Sequence, residues 1–191
     1  VKKLVLASSA AIYGDNPTVP KVETMIPEPR SPYAITKLDG EYYCELWQRE
    51  GLLETACLRF FNVFGPRQDP NSAYAAAVPI FIDKAQKGEP ITIFGDGEQT
   101  RDFIYVKDIA AGLAYAAQTE SVRGAYNIGY GSSTTINSLA QEILSMTGST
   151  SEIKYAETRS GDVKHSRASA EKLAATGWKP LYGFQQGLTE T

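Results

Sequence analysis

The feature that most constrains this chain is a strand–helix–strand run at its start. Residues 4–8 read Leu-Val-Leu-Ala-Ser, a short apolar run of the kind that forms a buried strand. Residues 10–30 carry Asp15-Asn16-Pro17, Pro20, Pro27 and Pro29, which predict a loop. A helix with clear boundary signals follows. Ser31 can cap it, Pro32 suits its first position, and Gly51 suits its end. Ile35, Leu38, Tyr42 and Leu46 fall on one face, the stripe expected to pack. Residues 54–61, with Thr-Ala-Cys-Leu-Arg-Phe-Phe, supply the next strand. A helix of about five turns between two strands makes a crossover unit, so the strands should be parallel.

Beyond Gly65-Pro66 the pattern loosens. A helix is predicted over 75–88 despite Pro79, and strands over 91–94 and 103–106 with the turn Gly95-Asp96-Gly97 between them. Asp108 can cap a helix running to about residue 119, with Ile109, Leu113 and Ala117 inward. A strand over 125–128 follows, then a helix over 136–146 capped by Thr135 and stopped by Gly148. A strand over 153–155 and a short helix over 170–175 complete the reading. There is no internal repeat and no low-complexity linker. The first third reads as the end of an α/β sheet, and the remainder as a smaller mixed lobe packed on it.

Composition sets limits on partners. With 191 residues, 42% hydrophobic and 21% charged, the chain is of ordinary globular type and long enough for a sizeable core. Nineteen basic against 22 acidic side chains leave a net charge of −3, which gives no general attraction to nucleic acid or an anionic membrane. The longest uncharged run, 124–141, is broken by Gly, Asn, Ser and Thr and cannot span a membrane. An anionic ligand must therefore be held by local arginines, helix ends or backbone amides. Cys44 and Cys57 form no metal-type cluster, and reduced thiols in a cytoplasmic protein are the expectation. The chain lacks an initiator methionine and drops straight into an apolar run, as if cut from something longer.

Two segments carry potential chemistry. In Ser31-Pro32-Tyr33-Ala34-Ile35-Thr36-Lys37, Tyr33 and Lys37 share a helix face. A free tyrosine, with a pKa of about 10, is a poor base at neutral pH. A nearby ammonium favours the phenolate, so this spacing makes a proton-transfer device, although it equally describes an exposed neighbour pair. Ser8-Ser9 closes the first strand, and in parallel sheets ligands gather beyond the carboxyl ends of strands. A hydroxyl there can bond a reacting alcohol or carbonyl, or simply satisfy the strand end.

These segments occur in a fixed order with others. Ser8-Ser9-Ala10-Ala11-Ile12-Tyr13-Gly14 is followed by Ser31-Pro32-Tyr33 with Lys37, and then by Arg59-Phe60-Phe61-Asn62-Val63-Phe64-Gly65-Pro66. The run from Gly95-Asp96-Gly97-Glu98-Gln99-Thr100-Arg101-Asp102 to Val106-Lys107-Asp108 comes next, followed by Tyr126-Asn127-Ile128-Gly129 and Arg159-Ser160-Gly161-Asp162-Val163. Together they resemble the extended short-chain dehydrogenase/reductase family, and within it the nucleotide-sugar epimerases. The resemblance implies a C-terminal part of a Rossmann-type sheet over 1–66 and a nucleotide-sugar-binding lobe over 67–191, with 102–128 partly returning to the sheet domain. It implies NAD as cofactor, a UDP-hexose or UDP-N-acetylhexosamine as substrate, C4 epimerisation through a 4-keto sugar, and homodimers in the family.

By that resemblance Tyr33 is the catalytic base, Lys37 holds the nicotinamide ribose, and Ser9 bonds the reacting oxygen. Ala7, Ser8, Phe61 and Val63 would line the nicotinamide half of NAD. Asn62 would contact the diphosphate, Ala77 and Val78 the nucleotide site, and Ile93 the uracil. Arg101 and Arg159 would grip the diphosphate, bidentate geometry suiting guanidinium to phosphate. Asp162 would support that arm or meet a ribose hydroxyl. Without the resemblance, Arg101 beside Asp102 reads as a surface ion pair. Related dehydratases carry an Asp-Glu pair where this chain has Ala10 and Ala11, which disfavours water elimination. The gate position beside the sugar matches Ser166, small enough to admit a 2-acetamido group, and His165 is expected to be structural or to sit at the rim.

No glycine-rich phosphate-binding turn follows any strand. By the family pattern the chain begins at about the fifth strand. Weak NAD affinity for this polypeptide alone and an open edge on its first strand are therefore expected. The alternatives are a sugar-nucleotide-binding fragment without catalysis, or a reductase of the same family.

Overall fold

The structure, a computed structural model, describes residues 1–72, 75–158 and 163–191. Strand β1 (Lys3–Ser9), helix α1 (Pro32–Arg49) and strand β2 (Glu54–Phe60) form the predicted crossover unit. The two strands are parallel, from Lys3 opposite Glu54 to Ser9 opposite Phe60. The caps act as their residue types dictate. The Ser31 hydroxyl accepts from the Ala34 N–H at 3.1 Å, and Gly51 takes the left-handed φ of +68° just past the helix end. Ser31→Ala should cost about 1 kcal/mol, read as a lowered midpoint at unchanged slope in urea unfolding.

The packed side of α1 differs from the expected stripe. Ile35, Tyr42 and Leu46 are 48%, 55% and 40% exposed, and the buried residues are Ala34, Leu38, Glu41 and Cys44. Apolar and polar residues are scattered around the helix, so periodicity alone cannot choose the inward side. The helix also approaches β1 closely: a Cβ on Gly40 would lie 2.9 Å from Leu6 Cδ2, so a larger residue there would push the Leu6 side chain aside.

Strand β3 (Asn62–Phe64) and helix α2 (Ala77–Lys87) come next. The helix starts two residues later than predicted, with Pro79 in its first turn, where the missing N–H costs nothing. Then follow β4 (Ile91–Phe94), β5 (Thr100–Arg101), β6 (Phe103–Tyr105) and α3 (Val106–Gln118). The remaining elements are β7 (Gly124–Ile128), β8 (Thr134–Thr135), α4 (Ile136–Thr147), β9 (Ile153–Ala156), α5 (Glu171–Ala174) and α6 (Phe184–Thr189). Strand β7 pairs with β2 in parallel, giving the order β1-β2-β7 with β1 at an edge. The alternating residues of β2 serve two faces. Ala56 and Leu58 pack with Ile109, Ala116 and Trp178, whereas Thr55 and Arg59 reach Cys44 and Glu41 of α1.

Asp108 does not cap α3. Strand β6 runs directly into the helix at Val106, so Asp108 lies in its first turn, fully buried. Its carboxylate accepts from the Leu181 and Tyr182 N–H groups at 2.6 and 3.2 Å and from the Tyr130 hydroxyl, tying the C-terminal segment to the helix. The lobe is built from the parallel pairs β3–β6 and β4–β9 and the antiparallel pair β5–β8. Helices α2 and α4 close a core that includes Phe64, Phe81, Ile91, Ile93, Leu139 and Ile143. Thr135 caps α4 as predicted, its hydroxyl accepting from Ser138 N at 3.0 Å.

Candidate active site

The chemistry-bearing residues gather beyond the carboxyl ends of β1 and β2. Ser9 ends β1 and caps a single 3-10 turn (Ala10–Tyr13), its hydroxyl oxygen accepting from the Ala11 N–H at 3.1 Å. That contact uses a lone pair and leaves the hydroxyl hydrogen free to donate. Ser9 opens into a cavity of about 310 Å³ lined also by Ala10, Ala11, Phe61, Asn62, Arg101 and Ser166. A second cavity of about 280 Å³ is lined by Ala77, Thr92, Ile93, Phe94, Gln99 and Phe103. Asn62 and Arg101 line both, so the cavities meet there.

Tyr33 and Lys37 project from the start of α1. The Lys37 Nζ donates to the Ala7 carbonyl at 3.0 Å and lies 5.5 Å from the centre of the Tyr33 ring. Ala7 and Ser9 are alternate residues of β1, about 7 Å apart along the strand. The ammonium thus anchors the tyrosine's helix to the strand that delivers Ser9. Tyr33 itself is 55% exposed.

Some expectations need correction. Ser8 is 2% exposed and gives its hydroxyl hydrogen to Glu41, so its side chain faces the interior and lines neither cavity. Val78 is fully buried in the lobe core and lines neither cavity. Val63 packs against the sheet core. Along β1, strand alternation turns Ser8 inward and Ser9 to the cavity. Asp102 is no surface ion-pair partner: it is fully buried, accepting backbone N–H groups of Tyr130, Gly131 and Ala168 at 3.0 Å each. Burial raises its pKa against the pull of those hydrogen bonds. Arg159 and Asp162 lie outside the described residues.

His165 is exposed, with Nδ1 3.1 Å from the Thr100 hydroxyl. The Ser166 N–H donates to the Thr100 carbonyl at 3.1 Å. This pins the 164–166 arm along β5, beside Arg101, whose Nη1 donates to the Thr100 carbonyl at 2.8 Å.

Sequence reasoning missed a buried polar row behind Ser9. Ser8, Arg59 and Asn127 lie in register across β1, β2 and β7. Arg59 forks onto Glu41, with Nε to Oε1 at 3.0 Å and Nη2 to Oε2 at 2.7 Å, both side chains under a tenth exposed. Its Nη1 donates to the Tyr13 hydroxyl at 2.9 Å, which donates to Asn127 Oδ1 at 2.6 Å. Burial pulls the Arg59 pKa down, but Glu41 and Tyr13 more than offset it, so the guanidinium stays charged. The available signals were an arginine inside an apolar strand and Glu41 continuing the four-residue step of Tyr33 and Lys37.

A parallel α/β sheet with a Tyr/Lys pair, a strand-end serine and a two-chambered cleft at its carboxyl side has the Rossmann-type architecture, in which ligands gather beyond the strand ends. The chain belongs to the NAD dependent epimerase/dehydratase family, whose model matches residues 1–129. Among solved structures, it is 43% identical to a UDP-N-acetylglucosamine 4-epimerase from Methanobrevibacter ruminantium M1 in complex with UDP-N-acetylmuramic acid. The TM-score is 0.96, over 100% of this chain and 62% of the other. A UDP-glucose 4-epimerase from Thermotoga maritima with UDP-glucose matches at 41% identity and TM-score 0.94, covering 100% and 62%. A Thermus thermophilus UDP-glucose 4-epimerase complex with NAD matches at 38% and 0.89, covering 100% and 63%. The chain spans 61% of the length of the first curated relatives it matches, a UDP-glucose 4-epimerase of Mycolicibacterium smegmatis among them.

Proposed function

We propose that this chain supplies the proton-transfer pair and the nucleotide-sugar cleft of an NAD-dependent enzyme that epimerises a UDP-hexose or UDP-N-acetylhexosamine at C4. The observation that carries the reading is Lys37, fixed to the Ala7 carbonyl beside the Tyr33 ring, on the strand that leads to Ser9. The residues present fit the nicotinamide half of NAD: an ammonium with donors to spare at a strand end, on the Ala7 backbone carbonyl. NAD, when bound, supplies the acceptance and return of a hydride. Tyr33 Oη takes the proton of the sugar 4-hydroxyl as hydride leaves C4, and the Ser9 hydroxyl donates to the same oxygen. The 4-keto sugar turns about its diphosphate, held by Asn62 and Arg101. Tyr33 then returns the proton as hydride adds to the opposite face, so the reaction is redox-neutral overall.

In this reading Ala77 and Ile93 border the uracil, and Arg159 and Asp162 complete the diphosphate grip. The wall formed by Ser166 leaves space for a 2-acetamido group, which makes UDP-glucose, UDP-galactose and their N-acetylated counterparts the substrates to test. Residues 1–66, with part of 102–128, form the cofactor domain, and the remainder of 67–191 the substrate lobe. The free thiols of Cys44 and Cys57 fit a cytoplasmic setting. The exposed Tyr42, Tyr43 and Trp47 of α1 offer the apolar surface that homodimerisation would cover. Among the described residues no helix is long and apolar enough to cross a membrane.

Separate titrations with UDP-glucose and NAD, followed by a galactose–glucose product assay, test the proposal. Sugar-nucleotide binding without NAD uptake would favour a non-catalytic binding role. Net NAD(P)H consumption would point to a reductase. Arg101→Ala should weaken UDP binding by about 1.5–3 kcal/mol through loss of a charge-assisted contact, read by calorimetry. Unchanged binding would remove Arg101 from the site.

A further inference from the structure

We propose that the buried Glu41–Arg59 pair is a positioning device that sets the spacing between the Tyr33 helix and the Ser9 strand. The inference rests on the proton-transfer reading above. Glu41 lies on α1, one turn past Lys37 and two past Tyr33. It accepts the hydroxyl of Ser8, the residue directly before Ser9, and both sides of the Arg59 fork. Arg59 in turn bonds Tyr13, which lies in the 3-10 turn that Ser9 caps. One carboxylate and one guanidinium therefore tie helix, strand end and turn to the rigid middle of the sheet, where Asn127 completes the row.

A purely structural role predicts something different. Apolar residues of similar volume often replace a buried ion pair with little loss of stability, so charge here is not required for folding alone. What apolar packing does not reproduce is the directional grip on Ser8 and Tyr13. Misplacement of reacting groups by about 1 Å can cost a hundredfold in rate.

The test uses the whole protein to which this chain belongs, with NAD and UDP-glucose. Arg59→Met alone strands the Glu41 charge and is expected to fold poorly, so the informative variant is Glu41→Leu combined with Arg59→Met. It should melt close to the wild type while kcat falls about 10–100-fold, with KM and the dissociation constant for UDP changed by less than about twofold. Tyr13→Phe, which removes one hydroxyl from the network, should lower kcat by about threefold to tenfold with the same constancy of KM. If the double variant does not fold, Tyr13→Phe decides. Wild-type kcat in a folded variant, or equal losses in kcat and UDP affinity, would overturn the inference. A Tyr33→Phe control separates the two levels. If that variant turns over normally, the proton-transfer reading fails; if it is inactive while the network variants match the wild type, only the positioning role fails.

Discussion

Tyr33→Phe in the whole protein should reduce kcat by roughly 10²–10⁴-fold, the usual worth of a positioned acid–base group. Affinity for the UDP-sugar should change by less than about twofold. The substitution deletes one oxygen and keeps the ring over which Lys37 lies at 5.5 Å. The ammonium remains tied to the Ala7 carbonyl, so its hold on the strand end is preserved. The cavity around Ile93, Thr92 and Phe103, where the proposal places the nucleotide, does not include the phenol. The measurement is a steady-state product assay beside calorimetry with UDP-glucose. A parallel fall in kcat and affinity would mean that Tyr33 serves binding rather than proton transfer.

The second large effect is expected at Asp102. Its Oδ1 accepts from Tyr130 N and its Oδ2 from Gly131 N and Ala168 N. In Asp102→Asn one oxygen becomes an amide nitrogen that faces N–H groups. The amide nitrogen leaves one buried donor unmet at the Oδ1 site, or two at the Oδ2 site, so at about 1–3 kcal/mol each the loss is about 1–6 kcal/mol, measurable by denaturant unfolding. The damage should extend to ligand binding, because Ala168 follows the 164–166 arm and the Asp102 carbonyl accepts from Asn62 N at 3.0 Å. The pH dependence has a definite sign. Burial raises the Asp102 pKa in the folded state above its usual 3.8, so between those two values the folded chain holds the proton and the unfolded chain does not. Its contribution therefore falls as pH rises through that window, and the Asn variant should lack this component. An equally stable variant with an unchanged pH profile would show that the three N–H groups find other partners. Gly129 belongs to the same design: a Cβ there would lie 2.8 Å from Asp102 Oδ2 and 2.9 Å from Ala168 Cβ.

Much of the frame was legible because local chemistry and global fold agree in the first 60 residues. The caps at Ser31 and Thr135, the glycine stops and the apolar strands all act as their residue types dictate. The motif order carried the likeness to the nucleotide-sugar epimerases, and Ser9, Asn62, Phe61, Arg101 and Ser166 do line one cavity. What escaped was orientation. A helix with apolar residues on several sides gives no clear signal for its packed face, and Glu41 drew no reading because a charge is normally exposed. Ser8 and Ser9 are chemically identical, and only strand alternation sends one inward and the other to the cavity. Asp108 resembled a cap because the join of β6 to α3 without a loop leaves no trace in composition.

The common wall made by Asn62 and Arg101 between the two chambers has an evolutionary consequence. A ligand spanning both is clasped at its waist, while each end occupies a compartment built from different elements. Under the proposed sugar-nucleotide reading, substitutions around Ser166 or the 3-10 turn would alter which hexose is accepted without disturbing how the nucleoside is held. On that reading, a single shared wall would let one compartment diversify while the other stays fixed.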